Sequence, residues 1–198
     1  MTTGAKPFGP EVLQYDVAAE ADRICRTIRE QVGKLRRRGA VVGISGGIDS
    51  SVVTGLCARA LGAKNVQALF MPERDSSDET LSLSRQVADA FGVPGELEDI
   101  TGLLDAAGCY RRRDDAIRLV APQYGAGYKA KIVLPSVLES TGYNVYSVVI
   151  RDPEGNDSRV RLTAPAMLGI VAATNFKQRV RKMLEYYYAD RLNFVVAG

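Results

Sequence analysis

The sequence has 198 residues, of which 46% are hydrophobic and 25% charged, a composition that excludes a mainly disordered chain. One domain with a sizeable core is the default at this length. The net charge of +3 is too small to indicate a nucleic-acid partner, and the longest uncharged stretch, between Pro165 and Lys177, is too short to cross a membrane. We therefore predict a cytoplasmic protein with neither a membrane nor a nucleic-acid partner.

Histidine is absent from the sequence, so every mechanism that requires a histidine base or ligand is excluded within this chain. Three cysteines, Cys25, Cys57 and Cys109, lie far apart in sequence and form no C-x-x-C pair. They indicate reduced, buried thiols rather than a zinc site or a disulfide framework.

The first periodic pattern predicts a long amphipathic helix from Glu11 to Arg38, after a loose arm that ends near Pro10. Its apolar residues recur at steps of three and four and form one stripe: Leu13, Val17, Ala21, Ile24, Ile28, Val32 and Leu35. Basic residues suit its C-terminal end, and Gly39 is predicted to close it. A helix of this length ahead of the first strand also offers a surface to a partner subunit, so we predict a homodimer.

The segment 40–62 combines a buried strand, a glycine turn and a helix. Residues 40–44 are apolar on both faces of the predicted strand, as expected in a parallel sheet. Gly46 and Gly47 follow, and a helical pattern runs over 50–62. The N–H groups at the start of such a helix have no partner, and the helix dipole favours negative charge there. We predict a phosphate-binding loop.

The side chains of this loop suit a phosphate ligand. Two glycines without Cβ atoms let an anion approach the backbone, Ser45, Ser50 and Ser51 supply hydroxyl donors, and Asp49 is a candidate ligand for a divalent cation beside the anion. The loop has neither the lysine of G-x-x-x-x-G-K-[ST] nor the spacing of G-x-G-x-x-G. It is therefore not the common phosphate loop, and the missing glycine fingerprint excludes a dinucleotide-binding reductase.

The next segments alternate between strand and helix patterns. The predicted elements are strands over 66–71 and 96–100 and helices over 78–91 and 102–107. This alternation predicts an α/β fold, an open parallel sheet with helices on both faces. Ligands of such sheets lie beyond the carboxyl ends of the strands, where the loops 45–51 and 72–78 fall.

The middle of the chain, 109–163, breaks the alternation. A charge run over 111–115 predicts a solvated helix face, and the segment 124–131, rich in glycine, tyrosine and lysine, is either a loop that orders over an anionic ligand or an ordinary connection. Strand patterns over 143–150 and 159–162, joined by a turn, predict a β-hairpin. We interpret 109–163 as an insertion in a single domain, because it has too few apolar residues for its own core.

From Ala164 the pattern is helical, with an interruption predicted near Thr174, and a strand follows over 193–197. The predicted apolar face of this helix comprises Phe176, Val180, Met183, Leu184 and Tyr187. Asn175 and Arg179 share a neighbouring face because they are four residues apart.

Two motifs in this order resemble those of a known family. The string Ser-Gly-Gly-Ile-Asp-Ser-Ser at 45–51 resembles the pyrophosphate-binding loop (PP-loop) of the ATP pyrophosphatases. The pattern N-x-x-x-R-x-R, then a methionine and a strand ending in glycine, at 175–198, resembles the second signature of the NAD synthetases. The resemblance covers about 39–198 and implies the ammonia-dependent type, with the Rossmann-like fold of the adenine nucleotide alpha-hydrolases.

The resemblance implies that ATP and Mg²⁺ adenylate the carboxylate of nicotinic acid adenine dinucleotide, with release of pyrophosphate. Ammonia, free or from a separate amidotransferase chain, then displaces AMP. The implied ATP contacts are Gly43, Ile44, Ser45, Gly46, Gly47, Ile48, Asp49, Ser50, Ser51, Phe70 and Met71. Asp49 is the implied Mg²⁺ ligand, and the implied dinucleotide contacts are Asn175, Arg179 and Arg181. No further catalytic residue is implied, because ammonia is already a nucleophile.

Members of this family continue beyond the last strand with Thr-x-x-x-x-Glu and a substrate loop. The resemblance therefore implies that the sequence stops before the family's C-terminal third, so that either the sequence is a fragment or a second chain supplies the rest. We expect such a chain to bind ATP and to show little or no turnover.

Two other interpretations remain open. A tRNA-modifying adenylating enzyme would follow phosphates with the basic clusters 36–38, 111–113 and 179–182, although such enzymes commonly need a reactive cysteine pair or cluster that this sequence lacks. A non-catalytic module would bind nucleotide and dimerise through the long first helix.

Overall fold

The computed structural model describes residues 9–10, 14–133 and 146–198. The contacts of the chain divide it into two compact units, one comprising Met1–Asp99 and Leu184–Gly198 and the other Ile100–Met183. Most of the predicted N-terminal arm, residues 11–13 of the first predicted helix and residues 143–145 of the predicted hairpin lie outside the described residues. The single-domain organisation stays a prediction.

Helices and strands alternate along most of the chain. In order they are α1 (Val17–Lys34), β1 (Ala40–Gly43), α2 (Ile48–Leu61), β2 (Val66–Phe70), α3 (Asp78–Ala90), β3 (Gly95–Leu97), α4 (Thr101–Ala106), α5 (Cys109–Arg118), β4 (Lys129–Val133), β5 (Ser147–Arg151), β6 (Asp157–Arg161), α6 (Ala164–Leu192) and β7 (Val195–Ala197). A 3-10 helix, Ala63–Asn65, precedes β2.

Four parallel strands form the sheet of the first unit, in the order β3-β2-β1-β7. Ala40 and Val42 of β1 point to one face, where they join a buried apolar cluster with residues of α1, α2 and α3. Gly43 points to the other face, towards Glu185 of α6. The predicted parallel sheet with helices on both faces is confirmed.

Helix α1 begins where its first N–H groups find an acceptor. The carboxylate of Asp16 accepts hydrogen bonds from the N–H groups of Ala18 and Ala19, both at 3.0 Å. The helix ends at Lys34, four residues earlier than predicted, and Arg36 adopts the left-handed conformation with φ 53°. The start of the helix at Val17 and its end at Lys34 shorten the predicted element at both ends.

Gly39 does not close α1, which corrects the prediction. A Cβ atom at this position would lie 2.2 Å from the carbonyl oxygen of Asn65 and 2.7 Å from the ring of Phe194. The Gly39 carbonyl also accepts a hydrogen bond from the N–H of Val195 at 2.8 Å. Glycine is required at this position because three segments of backbone converge where β1 begins.

Helix α6 is one continuous helix of 29 residues, so the predicted interruption near Thr174 is wrong. The Thr174 hydroxyl donates to the carbonyl of Ile170 at 2.8 Å, which satisfies the side chain inside the helix. Met183 and Tyr187, predicted on its apolar face, are 54% and 56% exposed. The buried positions are Ala166, Ile170, Ala173, Glu185, Tyr188 and Ala189.

The second unit contains an antiparallel sheet with strand order β4-β5-β6. Val148 and Ile150 of β5 join a buried apolar cluster with residues of α5 and α6. The predicted hairpin is confirmed in β5 and β6, and the charge run over 111–115 lies in α5 as predicted. Strand β4 replaces the C-terminal end of the loop predicted over 124–131, because its backbone pairs with β5.

Among the helices of the described residues, none is both long and apolar enough to cross a membrane.

A matched pair of glycine substitutions tests the backbone convergence at Gly39. We expect Gly39→Ala to lower the free energy of unfolding by about 2 kcal/mol, because the added Cβ meets a carbonyl oxygen that cannot move freely. Gly33 lies in α1 with no atom within 4 Å of its missing Cβ, so Gly33→Ala should raise the free energy of unfolding by about 0.5–1 kcal/mol. Urea unfolding of both variants measures the difference, and equal shifts would contradict the assigned role of Gly39.

Candidate functional site

The loop between β1 and α2 lies at the carboxyl edge of the parallel sheet. Strand β2 pairs with one side of β1 and β7 with the other, so the connection after β1 leaves the sheet where the strand order reverses. In open α/β sheets this is the position at which ligands bind. The fold therefore places the predicted phosphate loop at the expected end of the sheet.

Gly46 fixes the path of this loop. It has a φ of 74°, and a Cβ atom there would lie 3.0 Å from the Cβ of Leu83 and 3.1 Å from the carbonyl oxygen of Thr80. The loop therefore packs against the first turns of α3. The buried hydroxyl of Ser84 lies 3.1 Å from the carbonyl oxygen of Ile44 and 2.8 Å from that of Thr80, and it ties α3 to the loop.

The three loop serines make hydrogen bonds within the loop. Ser50 donates from its hydroxyl to the carbonyl of Gly47 at 3.0 Å, and Ser51 does the same at 2.8 Å. The N–H of Ser45 donates to the Ser50 hydroxyl at 3.2 Å, and the two hydroxyl oxygens lie 3.1 Å apart. The hydroxyls predicted as phosphate donors thus hold the shape of the loop.

Backbone N–H groups are the remaining donors of this loop. Helix α2 begins at Ile48 with Gly47 as its N-cap residue, which has no side chain to accept a hydrogen bond from the first turn. The Gly47 N–H itself donates to the Ser45 hydroxyl at 3.4 Å. The first turn of a helix has N–H groups without intrahelical partners and carries the positive end of the helix dipole. An anion is the ligand that this helix end suits best.

Asp49 lies in the first turn of α2, with its side chain exposed. Among the described residues its carboxylate makes no hydrogen bond or ion pair, and no group of three histidine, cysteine, aspartate or glutamate side chains could hold a metal. Mg²⁺ is commonly bound by one or two carboxylates together with substrate phosphates and water. A single carboxylate beside a helix end that suits an anion fits that mode.

Two acidic residues and a tyrosine near this edge of the sheet were not found from the sequence. Glu185 is 4% exposed, and its Oε1 atom would lie 2.6 Å from a Cβ atom on Gly43. Tyr188, one turn further along α6, donates from its hydroxyl to Glu98, which follows β3. Burial, followed by this hydrogen bond, raises the pKa of Tyr188 to about 12. Helical spacing relates Glu185 to Tyr188, but no local pattern relates either residue to β1 or β3.

Phe70 and Met71 lie at the end of β2 and are both buried. The Phe70 ring packs over Gly95, where a Cβ atom would lie 2.3 Å from it, and belongs to the apolar cluster. The terminal methyl of Met71 would lie 2.9 Å from a Cβ atom on Gly43, so Met71 is beside the end of β1. Their contact with adenine stays a prediction.

The residues implied in dinucleotide binding lie on α6, in the second unit. Asn175 and Arg179 are exposed, and Arg181 is half-buried. The continuous helix confirms that Asn175 and Arg179 share a face, since their spacing of four is close to one helical turn. Their role as ligand contacts stays a prediction.

The three cysteines are buried, and their environment makes them unreactive. Cys25, Cys57 and Cys109 are all free thiols with 1% exposure or less. Burial, with a smaller contribution from Cys25, raises the pKa of Cys57 to about 11. Such a thiol is protonated at neutral pH and is a poor nucleophile. This argues against the tRNA-modifying alternative, which commonly needs reactive cysteines.

The parallel sheet, the reversal of strand order at β1 and the helix that begins after a glycine turn define an α/β protein with the PP-loop Rossmann-like fold. A family model described as NAD synthase matches residues 20–121. The chain therefore belongs to the NAD synthase family.

Relatives with known names agree with this assignment. The NH(3)-dependent NAD(+) synthetase of Rhizobium meliloti (strain 1021) is 56% identical over 191 residues, which cover 96% of this chain and 57% of that protein. The protein of the same name from Mesorhizobium japonicum is 57% identical over 188 residues, which cover 94% of this chain and 59% of that protein. This chain thus spans less than two thirds of the length of these relatives.

The NH3-dependent NAD synthetase from Campylobacter jejuni, solved with nitrate, has a TM-score of 0.58 at 24% identity and covers 92% of this chain and 56% of its own. The NMN synthetase from Francisella tularensis has a TM-score of 0.59 at 16% identity, and the match covers 92% of this chain and 54% of that one. At these identities the solved structures support the fold.

A matched pair of substitutions at Gly46 and Gly47 tests which of these glycines determines the shape of the loop. We expect Gly46→Ala to lower the free energy of unfolding by about 2 kcal/mol, because alanine disfavours a positive φ and its Cβ crowds α3. Gly47 has a φ of −81°, and a Cβ there meets only the Ser45 hydroxyl at 3.4 Å. Gly47→Ala should therefore change the free energy of unfolding by less than about 0.5 kcal/mol. Urea unfolding without nucleotide makes the comparison.

The burial of the cysteines predicts slow reaction with thiol reagents. At pH 8 the native protein should release almost no chromophore from a disulfide reagent over minutes, whereas protein unfolded in guanidinium should titrate all three thiols. Alkylation of Cys57 in the native protein should rise with pH towards a midpoint near 11, since the thiolate is the reactive form. A native thiol that reacts at the rate of free cysteine would contradict this assignment.

Proposed function

We propose that this chain has the ATP-binding site of an NAD synthetase. In the proposed reaction, ATP and Mg²⁺ convert the carboxylate of nicotinic acid adenine dinucleotide to an adenylate with release of pyrophosphate. Ammonia then displaces AMP and forms the amide. The observation that carries the proposal is the uncapped N-terminus of α2 at the switch point of the sheet, in a chain of the NAD synthase family.

The proposed task of the loop is to hold the pyrophosphate half of ATP. Backbone N–H groups at the start of α2 would face the phosphate oxygens, and Gly47, which has no Cβ, leaves space for their approach. The serine hydroxyls hold the loop in this shape before the nucleotide arrives, so binding requires little reorganisation. Preorganised donors stabilise the negative charge that builds on the departing pyrophosphate.

Asp49 is the proposed Mg²⁺ ligand, and the metal supplies positive charge beside the phosphates when bound. Asn175, Arg179 and Arg181 are proposed to contact the dinucleotide substrate, and Phe70 and Met71 to border adenine. No residue is assigned as a general base, because neutral ammonia attacks without losing a proton first. The ammonia source is proposed as free ammonia or a separate amidotransferase chain.

We also propose a homodimer in which α1 packs on a partner subunit. Val17 at the start of this helix is 69% exposed, and Leu35 at its end is 61% exposed. Burying such side chains against a second copy would remove apolar surface from water.

Titration calorimetry with ATP and Mg²⁺ tests the loop. Gly47→Ala should weaken ATP binding at least tenfold although the fold stays intact, because its Cβ occupies space meant for phosphate oxygens. Asp49→Asn should remove most of the Mg²⁺ dependence of binding. Gly33→Ala is the control, since it adds the same methyl group to α1, and it should bind ATP as the wild type does. Equal ATP affinity in all four proteins would contradict a nucleotide site at this loop.

The acceptor is tested separately by AMP release. With ATP, Mg²⁺ and ammonium present, we expect AMP release to be slow at most, in line with the expectation of little turnover. The AMP that is released should depend on nicotinic acid adenine dinucleotide, and NAD should form in equal amount. Nicotinic acid mononucleotide is the comparison acceptor and should support less release. ATP binding combined with AMP release that ignores the dinucleotide would contradict the proposed substrate and leave the nucleotide loop in place.

A further inference from the structure

The antiparallel sheet of the second unit has two different faces. Alternate residues on one side, Ile132, Val148, Ile150 and Val160, join the apolar cluster with α5 and α6. The residues between them point to the other side, which we call the outer face. The strand register aligns its members in three rows: Lys129, Arg151 and Asp157; Lys131, Val149 and Arg159; and Val133, Ser147 and Arg161.

The outer face is strongly basic. It carries five cationic side chains and one carboxylate, which leaves +4, more than the +3 of the whole chain. Arg151 holds Asp157 through two hydrogen bonds of 2.7 Å. These bonds, together with the positive charges of Arg151 and Lys131, lower the pKa of Asp157. Both oxygens of this carboxylate are therefore bonded to Arg151.

The other four cations have no ion-pair partner within 4 Å among the residues that the structure describes. Lys129, Lys131, Arg159 and Arg161 are exposed, and within the described parts of the chain none makes a hydrogen bond or an ion pair. The arginine cluster of α5 differs in this respect. Arg111 lies 3.7 Å from Asp115 and Arg113 lies 2.9 Å from Asp114, so that helix offsets much of its own charge.

The remaining chemistry of the outer face narrows the choice of ligand. Protein interfaces usually have an apolar or aromatic centre, and the three rows offer only Val133 and Val149. Base stacking needs aromatic rings, and the rows contain none. A phosphate backbone needs only positive charge.

The spacing of these cations suits several phosphates at once. Residues two apart on a strand are separated by about 6.7 Å, and neighbouring strands by about 4.8 Å. The five cations therefore cover a patch of roughly 10 by 13 Å. We propose that the outer face of the β4-β5-β6 sheet binds the phosphate backbone of nucleic acid without sequence preference.

This proposal reverses the expectation of no nucleic-acid partner, which rested on the net charge of the whole chain. It also concerns other residues than the proposed ATP site. The nucleotide loop belongs to the first unit and the outer face to the second.

Fluorescence anisotropy of the full chain with a labelled 20-nucleotide oligouridylate tests the proposal. Between 50 and 200 mM KCl, log K should fall against log salt with a slope of about −3, as expected for four or five phosphate contacts to a single strand. The double variant Lys131→Gln/Arg159→Gln removes the middle row of cations. It should bind about tenfold more weakly at 50 mM KCl, with a slope smaller by about 1.4.

A matched control separates the outer face from general charge. Lys64 and Arg85 are exposed residues of the first unit, so Lys64→Gln/Arg85→Gln removes the same lysine and arginine charges elsewhere. It should bind as the wild type does. Circular dichroism should show both variants folded, because all four side chains are exposed.

Four outcomes would overturn the proposal. The first is an absence of wild-type binding at 50 mM KCl, and the second is equal weakening in the two double variants. The third is that polyglutamate of equal charge competes more strongly than unlabelled oligouridylate does, which would point to an acidic protein partner. The fourth is displacement of the oligonucleotide by tripolyphosphate at equal phosphate concentration, which would point to a small polyphosphate ligand.

Discussion

The path of the chain in the first unit depends on two glycines at the carboxyl end of β1, where neighbouring atoms leave no space for a side chain. Glu185 and Met71 occupy the space where a side chain on Gly43 would lie, and α3 occupies that space at Gly46. These approaches set the direction of the chain between the strand and α2. As a result, the N-terminus of α2 faces the edge of the sheet without a capping side chain. The N–H groups in the first turn of α2 thus remain available to a ligand because the loop before them is closely packed.

The serines of the loop have a structural task that precedes any ligand. Ser50 and Ser51 both bind the Gly47 carbonyl, and Ser84 from α3 reaches the carbonyl of Ile44. A loop held by its own hydroxyls keeps its donors in position, and this reduces the free energy that a ligand must supply to order the site. The same hydroxyl-rich sequence therefore serves the fold first and the proposed chemistry second.

Elements with a strong local signal were predicted well. The alternation of apolar segments between Ala40 and Leu97 predicted the strands and helices of the parallel sheet, and the turn around Gly155 predicted the β5-β6 hairpin. The end of α1, the role of Gly39 and the continuity of α6 were missed. The role of Gly39 depends on its approach to Asn65 and Phe194, which are distant in sequence, and no periodic pattern encodes such an approach. The continuity of α6 depends on the hydrogen bond from the Thr174 hydroxyl to the Ile170 carbonyl, which apolar periodicity does not show.

The sequence by itself determined the class of fold, the position of the phosphate loop and the resemblance to the NAD synthetases, because strand, glycine turn and helix are adjacent in the chain. Only the tertiary structure decided that Glu185 and Tyr188 reach the edge of the parallel sheet, and that Lys131 and Arg159 share one exposed surface. Those groupings join segments far apart in the sequence or fix the register between strands. Both depend on the packing and pairing of whole elements.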